Sequence, residues 1–323
     1  MESKEELPLV SLFIPAFNHE KYVAECIESV INQEYQNIEL IIINDGSKDS
    51  THDVIINYEQ KCRGRFVNFE YRNRENMGLS ATLNEMVAWS QGKYFTVVAS
   101  DDAMLPNKIS LLVNKLESLD NSYAVAFGNA TFIDKEGKEL YLNVNTGEST
   151  TKEAGFNLFL DYYTYGRNIE YKNEKVFGSY ETILAGNYLP AMSYIMKLEI
   201  IKNVGTWTNG NTIEDWEMWL KISKDYKFAY VDESVALYRL HENNAHKLIK
   251  KDLIIDSIKL LNNEKLYAFS KKLHNIYFLS KFSQLNAIKS YSSKLFIFGL
   301  LKQLRDFRFV IFVIKKAILK FNK

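Results

Sequence analysis

Apolar residues along the first 130 positions keep two rhythms. Short runs that are apolar at most positions, Val10–Pro15, Ile38–Ile43, Val67–Tyr71, Tyr94–Val98 and Ala124–Phe127, read as strands. The Ile38–Ile43 run is apolar on both faces, as in sheets covered by helices on both sides. Between the runs, Val23, Ile27, Val30 and Ile31 stand at i, i+4, i+7 and i+8. Leu79, Leu83, Met86 and Val87 keep the same spacing, as do Ile109, Leu112, Val113, Leu116 and Leu119, so amphipathic helices alternate with the strands. This order predicts an α/β fold, a doubly wound, mainly parallel sheet with helices on both faces. In such sheets the ligand crevice opens at the carboxyl ends of the strands.

After Phe132 the pattern changes. A hairpin is expected around Glu136-Gly137. Thr146–Tyr188 then has no clear period, and the structure of 141–187 is left open. Its tyrosines, Tyr162, Tyr163, Tyr165, Tyr171 and Tyr180, suit a sugar-stacking surface or a half-buried flank. Leu189–Met196 reads as a strand, Thr212–Asp225 as a helix and Phe228–Val231 as a strand. The globular part closes near His246, giving a domain over 1–246, with halves 1–130 and 131–246, and a helical extension over 247–323.

Charge sharpens that division. Across 323 residues the formal net charge is zero, but residues 247–323 hold 17 Lys and Arg against 4 Asp and Glu, a net of +13, and residues 1–246 hold 23 against 36, a net of −13. The last 30 residues mix basic with aliphatic and aromatic side chains. Their longest apolar run, Phe309–Ile314, is far short of the roughly 20 residues of a spanning helix. Two readings fit: an interfacial helix with lysines toward anionic headgroups, or a helix packed on the protein's own core with a solvated basic face. Composition is that of a globular protein, 46% hydrophobic and 25% charged. Two cysteines, Cys26 and Cys62, have no metal-ligand spacing, and MESKEELPLV has no leader pattern. A cytosolic protein is expected, peripheral on the inner face of the cell membrane, with no nucleic-acid partner.

Candidate chemistry sits where apolar runs end. The Tyr94–Val98 strand leads into Asp101 and Asp102, adjacent carboxylates that repel unless they take a cap, a hydrogen bond or a cation. With Asn107 they could instead cap the helix near Ile109. Asp45 follows the second strand, either as an acceptor for a base N–H or satisfied by its own Asp-Gly turn. Glu214 and Asp215 open the predicted 212–225 helix, and Thr212 and Asp215 stand at capping-box spacing. His241 is a ligand candidate or a structural histidine.

SLFIPAFNHEKYVAECIESVINQ, ELIIINDGSKDST and YFTVVASDDAMLP, in this order, resemble the family 2 glycosyltransferases of GT-A fold, over residues 7–130 and again over 187–246. The resemblance implies that Pro15, Ala16, Phe17, Asn18 and Glu20 line the nucleoside pocket and that Asp45 contacts the base. Asn76, Gly78, Ser80 and Asn84 resemble the segment before the metal strand. Asp101 and Asp102 match the Asp-x-Asp region, which holds ribose and a Mn²⁺ or Mg²⁺. Asp101 is assigned to the nucleotide-sugar and Asp102, with His241, to the metal. Many members begin this motif with Asp, and this chain has Ala99 there. NGNTIEDWEMWLKI resembles the Glu-Asp segment, which makes Asp215 the base for the acceptor hydroxyl. Processive synthases carry Gln-x-x-Arg-Trp, which is absent here, so the resemblance implies addition of one sugar. The expected reaction is inverting transfer from a nucleotide-sugar, UDP-linked, to a lipid-linked or surface glycan in polysaccharide biosynthesis. The rival readings are a membrane-associated glycan-binding scaffold and a sugar nucleotidyltransferase. The latter normally has a Gly-rich basic loop where this chain has AFNHEKY.

Overall fold

The computed structural model describes residues 7–244, 249–312 and 314. The chain divides into two compact units, Met1–Ser179 with Tyr188–His241, and Tyr180–Asn187 with Glu242–Lys323. The 246/247 boundary read from the sequence falls within 245–248, outside the described residues. Tyr180–Asn187, expected in the acceptor half, groups with the extension.

The first unit runs β1 (Val10–Ala16), α1 (Val23–Ile31), β2 (Ile38–Asp45), α2 (Thr51–Arg65), β3 (Asn68–Arg74), α3 (Leu79–Trp89), β4 (Tyr94–Val97), β5 (Ala103–Met104), α4 (Lys108–Glu117) and β6 (Tyr123–Ile133). A small hairpin, β7 (Tyr141–Leu142) and β8 (Ser149–Thr150), and α5 (Phe159–Thr164) come next. After α6 (Tyr180–Ala185), which lies in the second unit, come β9 (Tyr194–Lys197), α7 (Leu198–Val204), α8 (Glu214–Ile222) and β10 (Lys227–Arg239). Eight strands form one sheet in the order β3-β2-β1-β4-β9-β6-β10-β5. The run β3-β2-β1-β4 is parallel throughout, β9 is antiparallel to both neighbours, and β6 and β10 are parallel. The GT-A expectation is met: β1, β2 and β4 end side by side, and the loops that leave their carboxyl ends form the site.

Every residue of β2 is buried, as its two-sided apolar run requires. Near its start Glu39 accepts from the Ser11 hydroxyl and from the backbone N–H of Gln91 and Gly92, so the turn that launches β4 hangs on a buried carboxylate. A Cβ at Gly92 would lie 2.6 Å from Ser11 Oγ, and no side chain fits there.

Several elements differ from the sequence reading. α2 has no clear apolar stripe, since it buries only Thr51, Ile55 and Cys62 and shows no period to read. The strand expected over Leu189–Met196 begins only at Tyr194, because a turn from Pro190 to Ser193 precedes it. β10 continues to Arg239 past the polar Asp232–Glu233–Ser234, which the ladder accommodates by register shifts. The hairpin at Glu136-Gly137 forms: Asp134 N–H donates to the Lys138 carbonyl, and Gly137 takes φ 83°. Of the tyrosines, Tyr162 and Tyr163 pack on Phe132 and Phe159, Tyr171 meets Tyr230, and Tyr180 donates to Glu264, which leaves only Tyr165 strongly exposed.

In the second unit α9 (Lys250–Ser270), α10 (His274–Lys289) and α11 (Ser293–Leu304) pack in succession, with α6 on α10. Phe269, Tyr277, Phe278, Phe309 and Phe312 form an aromatic core. Ile297, Phe298, Leu301 and Leu304 of α11 remain exposed, so this helix is not simply closed onto the protein's own core. Among the described residues no helix is long and apolar enough to cross a membrane.

Candidate active site

Loops after the parallel strands are tied into one rim. Asn18 adopts φ 54°; its backbone N–H donates to Ser47 Oγ at 2.8 Å, and its Oδ1 accepts from Lys48 N–H at 2.7 Å. Glu20 and Asp49 cross-link the same loops, with Glu20 N–H on Asp49 and Ser50 N–H on Glu20. Pro15 and Ala16 end β1, and Phe17 stands 44% exposed on the rim. Asp45 is buried at the end of β2. It pairs with Arg74 and accepts from the N–H of Met77 and Gly78, both at 2.9 Å. Its carboxylate is held by another loop, not by its own turn.

The residues resembling the segment before the metal strand hold a distant loop. Ser80 Oγ donates to the Asn211 carbonyl, and Asn84 exchanges bonds with the backbone of Trp207. Glu217 of α8 grips that loop from the other side through Thr208 and Asn211. Ser80, Asn84 and Glu217 thus hold the loop that leads into α8, where Glu214 and Asp215 sit.

Asp101 is the centre of the site. His241 Nε2 lies 3.0 Å and His19 Nε2 3.6 Å from its Oδ2. One ligand atom from each of His19, Asp101 and His241 lies within 4.8 Å of the others. Burial opposes ionisation of Asp101, but the His241 bond and the fields of both histidines outweigh it, and its pKa is lowered. Burial also lowers the pKa of His19, against the pull of Asp101, which favours the neutral imidazole that a metal requires. His19 Nδ1 contacts Ser100 Oγ at 2.8 Å, which orients the ring.

Asp102, expected as the metal ligand, lies outside this cluster. Its Oδ1 accepts from the backbone N–H of Arg239 at 2.9 Å, and burial together with the charge of Asp101 raises its pKa well above the carboxylate range. Neither aspartate caps α4, whose N-cap is Asn107 without a side-chain bond. Arg239, buried at the end of β10, carries the arrangement. Nε donates to the Asp101 carbonyl at 2.9 Å, Nη1 to the Asp134 carbonyl at 3.2 Å, and Nη2 pairs with Glu25 at 2.6 Å. The guanidinium also covers the Tyr22 ring, which in turn packs on His241. Beneath the loop, Lys108 is fully buried and donates to the Met192 carbonyl; burial lowers its pKa to about 7, against the pull of Asp102 and Cys26.

Sequence reasoning missed His19, Arg239 and Lys108. Two of them had a visible signal, since His19 lies inside the AFNHEKY match and Arg239 two residues before His241. Lys108 reads only as a helix residue until it is seen buried.

α8 begins at Glu214, and its N-cap is Ile213, which makes no side-chain cap bond, rather than Thr212. Asp215 Oδ1 accepts from the N–H of Trp216. Burial first, and then Asp215, push the Glu214 pKa up to about 8. The Tyr238 phenol is raised by burial and then by Tyr163, Asp102, Asp101 and Asp215, so both carboxylate groups act on one hydroxyl.

A family model, Glycosyl transferase family 2, matches residues 11–180, more than half of the chain. The chain belongs to glycosyl transferase family 2. An uncharacterized glycosyltransferase of Haemophilus influenzae is 27% identical over 273 residues, 83% of this chain and 76% of that protein. An uncharacterized glycosyltransferase of Rickettsia bellii is 40% identical over 136 residues, 42% of this chain. The chain spans only 19% of that relative's length, and no more than 40% of the further Rickettsia relatives it matches. Among solved structures, this family 2 chain is similar to S. aureus TarS 1-349 in complex with UDP-GlcNAc, with TM-score 0.58 and 16% identity over 88% of this chain and 73% of that one. It is similar also to a mannosyltransferase from Pyrobaculum calidifontis in complex with GDP-Man and Mn²⁺, with TM-score 0.57 and 12% identity over 98% and 86%. At these identities the likeness is one of fold.

Proposed function

We propose that this family 2 glycosyltransferase moves a single sugar, with inversion, from a UDP-linked donor to a hydroxyl of a lipid-linked or surface glycan. The observation that carries the reading is the His19–Asp101–His241 cluster at the ends of the parallel strands, and the common action of Asp101, Asp102 and Asp215 on the Tyr238 phenol supports it. The nucleotide-sugars and Mn²⁺ named with the structural neighbours support it.

In this reading Pro15, Ala16, Phe17, Asn18 and Glu20 shape the nucleoside rim, and Asp45 offers its remaining lone pairs to the base. His19, Asp101 and His241 hold the divalent cation. Two imidazoles and one carboxylate suit Mn²⁺ better than Mg²⁺, which prefers oxygen ligands. When bound, the cation neutralises charge on the leaving diphosphate. Asp215 takes the proton of the acceptor hydroxyl as its oxygen bonds the anomeric carbon, and the bond from that carbon to the diphosphate oxygen breaks on the opposite face. Neutral Glu214 leaves Asp215 as the charged member of the Glu-Asp pair. The 247–323 extension meets an anionic membrane surface on the cytoplasmic side, a reading supported by its +13 charge and the exposed apolar residues of α11.

The test is calorimetric binding of UDP, dTDP, GDP and CMP, with and without Mn²⁺, to the wild type and Asp101→Asn. Mn²⁺-dependent binding of UDP that the variant loses is the expected result. No nucleotide binding by folded protein overturns the proposal.

A further inference from the structure

Among the described residues of the second unit, one buried lysine has only neutral hydrogen-bond acceptors. A cavity of about 210 Å³ lies among α9, α10 and α11, with Ile258, Leu285, Ile288, Leu295 and Phe298 as apolar wall. Lys281 of α10 lines it and is 1% exposed. Its Nζ donates at 2.6 Å to the Ile258 carbonyl and at 2.6 Å to Asn262 Oδ1, both neutral acceptors, which leaves one of its three N–H groups. Lys302 lines the same cavity from α11. Among the described residues neither lysine pairs with a carboxylate, whereas nearby Lys259 pairs with Asp256 and Lys265 with Asp306, each at 2.8 Å.

A buried cation without a counter-charge is costly, and the cost shows: burial, then Lys302 and Lys265, push the Lys281 pKa down to about 7. An anion beside Lys281 and Lys302 removes that penalty. Apart from Asn262, Gln303 and the paired Lys259, the remaining wall is hydrocarbon, so the complementary ligand carries an apolar chain next to its charge. There is an exit for such a chain. Leu295 and Phe298 line the cavity yet are 43% and 69% exposed, and Leu301 and Leu304 continue the exposed apolar surface along α11. Gly299 lets α11 cross α10 closely enough to form the wall, since a Cβ there would run into Leu285.

We infer that this cavity is a binding site for one phosphate-bearing anionic lipid, with its phosphate on Lys281 and Lys302 and its chain against Ile258, Leu285, Ile288 and Phe298. The inference deepens the membrane reading of the extension: general adsorption needs only a charged apolar surface, whereas this site takes a single lipid molecule. It does not depend on sugar transfer.

The test titrates the full-length protein by calorimetry with dihexanoyl phosphatidic acid below its micelle concentration, with dihexanoyl phosphatidylcholine, and with inorganic phosphate. One-to-one binding of phosphatidic acid is expected, about tenfold or more tighter than either other probe. Lys302→Glu and Lys281→Met each weaken it by about tenfold or more, while UDP binding is unchanged. Equal binding of phosphatidylcholine would reduce the site to apolar association, and equal binding of inorganic phosphate would make it a free-phosphate site; either overturns the inference. So does unchanged lipid affinity in Lys302→Glu, whose exposed position keeps the answer available even where Lys281→Met fails to fold. Flotation with anionic vesicles separates the two membrane readings, because Lys281→Met retains adsorption when only the single-lipid site is lost.

Discussion

His241 Nε2 lies 3.0 Å from the carboxylate of Asp101, a residue 140 positions earlier in the chain. The contact exists because β10 ends beside the loop after β4, and Arg239 pins the two together through the Asp101 carbonyl and the Asp102 carboxylate. The loop after β4 and the end of β10 therefore meet in one place.

The two aspartates separate by experiment. With Asp101 as a cation ligand, as proposed, Asp101→Asn lowers Mn²⁺-supported nucleotide affinity by about 100-fold or more. Asp102 is held toward its protonated form by burial and Asp101, so Asp102→Asn keeps the shape and an acceptor for Arg239 N–H, and costs about tenfold or less. Calorimetry on both variants decides, and equal losses would return the ligand role to Asp102.

His19→Phe tests the third member of the cluster. It keeps a ring of similar shape but no nitrogen, and Mn²⁺ affinity measured by electron paramagnetic resonance falls about 10- to 100-fold. Unchanged affinity would leave Asp101 and His241 as the only ligands among the three.

Arg239→Met leaves the Asp101 carbonyl without its guanidinium donor and Glu25 without its partner, and removes one of two donors to the Asp134 carbonyl, which keeps the Gly137 N–H. Glu25 is half exposed, so the loss lies at the low end for a broken buried pair, about 3 kcal/mol in urea denaturation. Arg239→Lys does not restore it, because one ammonium cannot reach three acceptors placed for a planar fork.

Asp215→Asn lowers kcat by about 10²- to 10⁴-fold with nucleotide affinity unchanged. Glu214→Gln retains activity at pH 7, where Glu214 is already neutral, its pKa raised to about 8 by burial and Asp215. That raised pKa also sets the sign of the effect on stability. A carboxyl whose folded pKa lies above its unfolded value, about 4.3, contributes stability that is complete below that value and is lost as pH rises through about 8. Thermal melting of the wild type minus that of Glu214→Gln should therefore fall between pH 5 and 9. A flat difference would show that Glu214 titrates normally.

Much of this was legible in the residues. The runs Val10–Pro15, Ile38–Ile43 and Tyr94–Val98 are apolar because their strands lie in the sheet core, and one-dimensional periodicity reports burial faithfully there. α2 was not legible, since a helix lying over a sheet with three buried residues leaves no stripe. Lys108 was not legible either, because a lysine in an amphipathic helix reads as solvated until its surroundings are known.

By itself the sequence determined the alternation of strands and helices, the acidic and basic division of the chain, and the match that sets residues 7–130 among family 2 glycosyltransferases. All of these are local or summed properties, carried by neighbours along the chain. Only the tertiary structure decided which carboxylate stands between histidines and which is buried against Arg239. Asp101 and Asp102 are chemically identical and adjacent; folding delivers His19 and His241 to lower the pKa of Asp101, while burial and the charge of Asp101 raise that of Asp102 against the pull of Arg239.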